Sequence, residues 1–148
     1  MNLVDEAATR AAGAALAAGL SGGDAIALVG DLGAGKTTFV AGLVDALGGG
    51  IATSPTFALV QRYDGRVVIW HVDLYRLERA SELPELGLDD LFGDPSCVVI
   101  VEWADRFDVM PADHLRVELT HVTTGRTLTA TGTGPRGVQL ARLLASQP

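Results

Sequence analysis

The chain has 148 residues, 48% of them apolar and 20% charged, and its 11 basic and 18 acidic side chains give a net charge of −7. So much apolar material offsets the ordering entropy that keeps polar chains disordered, and the length suits a single domain over residues 1–148 with a sizeable core. The negative charge offers phosphate backbones no general attraction, so DNA is not an expected partner, and any nucleic-acid role needs a second protein carrying the positive surface.

Residues 5–20 are rich in Ala, carry Asp5 and Glu6 at the front and contain no Pro. This predicts a helix whose first turn holds favourable negative charge. The apolar part of this segment follows acids rather than the positive charge of a secretory leader, so it is read as a helix and the protein as cytoplasmic. No apolar stretch approaches the ~18 residues that cross a bilayer, and no membrane partner is expected. Ala25–Val29 is apolar at every position, as in a strand covered on both faces. A glycine loop follows, then a helical pattern over Thr37–Leu47 that stops at Gly48-Gly49-Gly50.

Phe57–Arg62 and Val67–Val72 read as strands about a turn at residues 63–66. Ser81–Leu86 and Leu88–Phe92 have short-helix character. Cys97–Val101 is a second wholly apolar strand, ending at Glu102. Cys97 is the only cysteine, which suits a buried thiol. Leu115–His121 and Arg126–Thr131 alternate across Thr123-Thr124-Gly125, as a hairpin does. Val138–Ala145 closes as a helix. The order predicts a P-loop NTPase-like three-layer α/β domain with a mixed, mainly parallel sheet and a C-terminal β-hairpin.

Gly30-Asp31-Leu32-Gly33-Ala34-Gly35-Lys36-Thr37 matches G-x-x-x-x-G-K-[ST], between a predicted strand and a predicted helix. Each part has a physical task. The glycines let backbone N–H groups turn inward as an anion nest, and the helix N-terminus adds partial positive charge. Lys36 is the only lysine in the chain, against ten arginines. It supplies a compact point charge for the β- and γ-phosphates, while the Thr37 hydroxyl suits Mg²⁺. The glycines do not fall as G-x-G-x-x-G, so a dinucleotide fingerprint is excluded here.

Such a site needs a carboxylate at a neighbouring strand end. Asp73 follows one predicted strand and Glu102 another. Carboxyl ends of strands face the ligand crevice in open α/β sheets, so both reach the site; spacing alone does not divide metal and water between them. A guanine-reading N-K-x-D is absent, because the lone Lys sits in the loop. A small-molecule kinase is the alternative, with Arg76, Arg79 and Arg106 available but no lid-sized insertion. A nucleotide-dependent switch with slow hydrolysis is another. His71, on a strand, reads as a packed core or rim imidazole, Phe57 as core.

GDLGAGKTTF at 30–39, SPTF at 54–57, HVDLYRL at 71–77 and VEW at 101–103 occur in an order and spacing that resemble the TsaE (YjeE) family. These are ATPases of bacterial tRNA threonylcarbamoyladenosine biosynthesis. The early DEAAT, the Glu-Leu at 82 and 83, Gly87 and TTGR at 123–126 also fit, so the resemblance covers nearly the full chain. It implies that Leu32, Gly33, Ala34, Gly35, Lys36, Thr37 and Thr38 hold the phosphates of ATP. It places Mg²⁺ on Thr37 and Glu102, and Asp73 beside the γ-phosphate or its water. Ser54 and Thr56 would belong to a segment sensing that phosphate. Glu6 and Gly125 would border the base, and Trp103 would lie at the rim. Tyr75 and Arg76 would belong to a partner surface, the partners being TsaD and TsaB, with tRNA met only through them. Two departures are visible: Ala104 follows Glu-Trp where many members have Pro, and Ala58 follows SPTF where many have Thr.

Overall fold

The computed structural model describes residues 1–49 and 60–147. The Ser54-Pro55-Thr56-Phe57 segment and the start of the strand expected from Phe57 lie outside the described residues. The elements are β1 (Asn2–Leu3), α1 (Glu6–Ala17), β2 (Ala25–Val29), α2 (Lys36–Ala46), β3 (Val60–Asp64) and β4 (Val68–Asp73), then a 3₁₀ helix (Ala80–Leu86), α3 (Leu88–Phe92), β5 (Cys97–Glu102), β6 (His114–Val122), β7 (Gly125–Thr133) and α4 (Gly134–Ala145). The strands form one mixed sheet in the order β1-β7-β6-β2-β5-β4-β3. β2 lies parallel to both β5 and β6, and β4 runs parallel to β5. The hairpins β3–β4 and β6–β7 are antiparallel.

Two cores account for the strand patterns. Ile26, Leu28, Ile69, Val98 and Ile100 point to one face, where α1, α2 and α4 cover them with Leu16, Phe39, Leu43 and Leu140. Ala27, Val72, Val99 and Val101 point to the other, beneath Leu74, Leu77, Leu88 and Ala104. β2 and β5 are sandwiched, which is why β2 is apolar throughout and β5 is apolar up to its terminal Glu102. At β6 and β7 only the first face is covered, by Leu115, Val117, Leu119 and Leu128; Arg116, Glu118, Thr129 and Thr131 face outward. The alternation of the hairpin is this one-sided burial.

α1 and α2 cross through glycine. A Cβ at Gly13 would stand 2.1 Å from the Phe39 carbonyl oxygen, and one at Gly42 2.1 Å from the Arg10 carbonyl oxygen. The backbones therefore touch where side chains usually separate helices.

Four elements differ from expectation. β3 runs on to Asp64, because Tyr63 and Asp64 pair with Ile69 and Val68 where a turn was expected. β1 was not anticipated; two residues give no period, and β7 recruits them through the register Asn2–Thr127 and Leu3–Arg126. α4 begins at Gly134, a turn before the expected Val138, because Pro135 suits a first turn that needs no N–H donor. Ala80–Leu86 is a 3₁₀ helix with Pro84 inside it, ended by Gly87 at φ 66°. Among the described residues no helix is long and apolar enough to cross a membrane.

Candidate active site

Between Val29 and Lys36 the chain reverses from strand to helix. Gly33 (φ 78°) and Gly35 (φ 106°) lie in the left-handed region, which a Cβ disfavours, so their spacing is a conformational requirement. Phe39 N–H closes the first helical bond onto Gly35 O at 2.9 Å. The amides before it have no intrahelical acceptor and leave positive charge at the opening. Ala34 is fully buried and its N–H donates to Asp31 O at 3.0 Å, so it faces the core and braces the loop from within.

Lys36 is only 6% exposed. Its Nζ donates to Asp31 O at 2.9 Å and to Gly30 O, and lies 4.2 Å from the centre of the Trp103 ring. Burial pushes the ammonium below the ordinary lysine pKa; the carboxylates of Glu102, Asp73, Asp31 and Asp105 oppose that shift. The charge is held among dipoles and an aromatic face, in no ion pair among the described residues.

The two acids are register neighbours, Asp73 of β4 opposite Glu102 of β5. Glu102 is 5% exposed. Its Oε2 lies 2.6 Å from His71 Nε2, and since an ionised carboxylate only accepts, the imidazole donates. His71 thus fixes the rotamer of Glu102. Asp73 Oδ1 accepts from Tyr75 N at 2.9 Å, which turns the chain after β4. Trp103 is the only non-glycine residue with positive φ among the described residues, at 59°. Its N–H donates to Leu28 O at 3.0 Å, and its ring lies 5.0 Å from that of Tyr75. A bulky residue in this conformation is strained; here the turn brings the ring over Lys36.

One cavity of about 300 Å³ is lined by Leu32, Gly33, Gly35, Lys36, Thr37, Thr38, Asp73, Tyr75, Glu102, Trp103 and Arg126. Most of the sequence candidates thus meet in one place. Glu6 touches its edge, where its Oε1 accepts from Thr38 Oγ1 at 3.2 Å. Gly125 backs onto β1 instead: a Cβ there would stand 2.3 Å from Leu3 O. Arg76 lies in a neighbouring depression with Tyr75, Glu78, Trp103, Asp105 and Arg106. Ser54 and Thr56 lie outside the described residues. The sequence reading did not single out Arg126 as a site residue and left His71 as packing. Only strand register reveals either, because each acts on a residue far away in the chain.

The donor set fits a magnesium nucleotide. No group of three or more His, Cys, Asp or Glu among the described residues could hold a metal by itself. One hydroxyl and one carboxylate suit Mg²⁺, which takes its other ligands from substrate phosphates and water. Loop amides, a helix N-terminus and a buried Lys suit the phosphates themselves.

Residues 3–128 match the family model "Threonylcarbamoyl adenosine biosynthesis protein TsaE". The chain is 39% identical to the tRNA threonylcarbamoyladenosine biosynthesis protein TsaE of Bacillus subtilis over 127 residues, 83% of this chain and 78% of the relative. It is 37% identical to the protein of that name in Streptomyces coelicolor over 139 residues, 86% of this chain and 92% of the other. The crystal structure of YdiB from Bacillus subtilis superposes with a TM-score of 0.80 at 34% identity, over 98% of this chain and 92% of that one.

Proposed function

The chain belongs to the TsaE family of threonylcarbamoyl adenosine biosynthesis proteins, and from that premise we propose that it is a cytoplasmic Mg²⁺-dependent ATPase whose hydrolysis sustains turnover of a TsaB–TsaD complex. The observation that carries this reading is the convergence on one cavity of a glycine loop, the buried Lys36 and the paired strand-end acids Asp73 and Glu102.

In this reading the loop from Leu32 to Thr38 binds the phosphate chain, and Lys36 neutralises charge on its outer part. Thr37 and Glu102 hold Mg²⁺, with His71 keeping Glu102 in place. Bound Mg²⁺ supplies charge compensation on the phosphate oxygens. Asp73, more exposed, orients the attacking water. No lid closes over the cavity among the described residues, so part of the stabilisation comes from the partner; a group donated in this way is worth ~10³–10⁵ in rate. The face bearing Tyr75, Arg76 and Trp103 is the surface offered to that partner, and tRNA is met only through the complex.

The test is multi-turnover threonylcarbamoylation of tRNA by purified TsaB and TsaD, with and without this chain. Phosphate release is followed in parallel, with Glu102→Ala as background. The chain should be slow alone, accelerated by the complex, and needed for more than one round of product. A fast rate that partners leave unchanged, accompanied by a phosphorylated metabolite, would replace this reading with a small-molecule kinase.

A further inference from the structure

Arg126 has no task in the scheme above, yet it occupies the same cavity. It is the second residue of β7, in register with His121 of β6 and Leu3 of β1. Its side chain reaches over the glycine loop. Cδ and Nε stand 3.0 Å from where a Cβ on Gly35 would be, and Nη2 lies 3.4 Å from Gly33 O. Among the described residues, Arg126 Nε is the one buried side-chain nitrogen or oxygen with no hydrogen-bond partner.

A guanidinium is charged at every accessible pH, and leaving one of its donors dry and unpaired is costly. Folded chains satisfy nearly all such atoms, so an exception calls for an explanation. No carboxylate of the described residues forms an ion pair with Arg126. The missing acceptor is therefore not among the described residues, and an anion held in the cavity would supply it.

Position selects which anion. β2, which launches the loop, lies between β5 and β6. Asp73 and Glu102 reach the cavity from the β4–β5 side, and Arg126 reaches it from the β6–β7 side. In the proposed reading the metal ligands and the outer phosphate stand on the side of the acids. On the side of Arg126 stand Glu6 and Thr38, the latter one residue past the Lys36–Thr37 pair that the reading gives to the outer phosphate and Mg²⁺. We infer that Arg126 is a second phosphate-binding cation, whose Nε–H donates to an inner phosphate of the nucleotide, α or β, while Lys36 serves the outer part. The inference rests on the nucleotide-binding reading of the cavity.

The experiment measures ADP, ATP and tripolyphosphate affinities by titration calorimetry for the wild type, Arg126→Ala, Arg126→Lys and Lys36→Met, together with thermal melts with and without ADP. Arg126→Ala should weaken ADP and ATP alike, roughly 10- to 100-fold, as for loss of a hydrogen bond to a charged group. Tripolyphosphate should weaken too, and Arg126→Lys should recover part of the loss. The nucleotide-free melt of Arg126→Ala should stay level or rise, because an unpaired donor has been removed.

Loss confined to ATP would make Arg126 a γ-phosphate contact and overturn the inference. Loss for nucleotides with tripolyphosphate untouched would make it a base contact and overturn it equally. A nucleotide-free melt that falls, with affinity unchanged, would reduce Arg126 to a brace for the loop. If Lys36→Met binds ADP like the wild type, the nucleotide reading itself fails, whatever Arg126 does.

Discussion

The two ends of β2 use the same kinds of side chain to opposite ends. At the amino end, Arg136 grips Asp24 with two bonds, Nε to Oδ1 at 2.7 Å and Nη2 to Oδ2 at 2.8 Å. Arg136 also donates to Gly19 O, and Asp24 accepts from Ser21 N at 2.9 Å. Asp24 is almost wholly buried, and its two oxygens are satisfied. At the carboxyl end, Lys36 is buried on carbonyls and a ring, and Arg126 keeps one donor unpaired. The first arrangement is complete without a ligand. The second keeps a donor unpaired, and in the proposed reading a ligand completes it. Unmet hydrogen-bonding capacity therefore separates the end that stabilises the fold from the end proposed to bind.

The sharpest break in that comparison should come from Lys36→Met. It keeps the buried stem and removes the charge. ADP affinity should fall roughly 100-fold, near the top of the range for a hydrogen bond to a charged group. Urea unfolding of the nucleotide-free chain should show no loss of stability, since a desolvated cation has been removed. A destabilised chain with normal affinity would mean that the upper end, too, is structural.

Arg136→Ala should do the reverse. It leaves Asp24 charged, buried and unpaired, which costs ~3–5 kcal/mol in a fully buried pair. With the Arg136 side chain 32% exposed, solvent screens part of that, and a loss of about 2–3 kcal/mol is expected. The melting point should drop several degrees while calorimetry returns an unchanged ADP affinity.

Next in size is the acid pair. Glu102→Gln should raise the Mg²⁺ needed for half-maximal hydrolysis, and His71→Ala should do so by ~10-fold through its hold on Glu102. Excess Mg²⁺ should restore much of both but little of Asp73→Asn, which would have lost its grip on water rather than metal. Equal Mg²⁺ responses from all three would erase the division of labour between the acids.

The smallest effect reads the closed end directly. Cys97 opens β5 beside Asp24, its carbonyl accepting from Gly23 N at 2.8 Å. Burial, then the charge of Asp94, raises its thiol pKa, so the native thiolate fraction is low at neutral pH and grows only as pH climbs past the ordinary value. A thiol reagent at pH 8 should label native Cys97 far more slowly than the urea-unfolded chain. Arg136→Ala should speed the labelling, and ADP should slow it only by as much as it stabilises the whole fold.

Much of this was legible in residue order, for identifiable reasons. The phosphate loop could be read because its chemistry is done by backbone, and only Gly at 33 and 35 permits the turn. β2 and β5 could be read because burial on both faces leaves them apolar from Ala25 to Val29 and from Cys97 to Val101. Leu88–Phe92 was found residue for residue. What escaped depended on pairing across the sheet. His71 meets Glu102 because β4 and β5 share a register, and Arg126 meets the loop because β7 lies two strands from β2. β1 escaped because its two residues are ordered by β7 and not by any pattern of their own.

The glycine contact between α1 and α2 sets a mechanical limit. With Gly13 against the Phe39 carbonyl and Gly42 against that of Arg10, neither helix can slide or roll without collision. Glu6, at the tip of one, holds Thr38 at the root of the other. The start of α1 and the glycine loop that opens α2 are therefore joined twice, packed at mid-helix and tethered at the rim. A hinge motion between the two helices would have to break both contacts. If the cavity hydrolyses a nucleotide as proposed, the motion it drives is expected along the strand ends that carry Asp73 and Glu102, with the α1–α2 pair as the anvil against which they move.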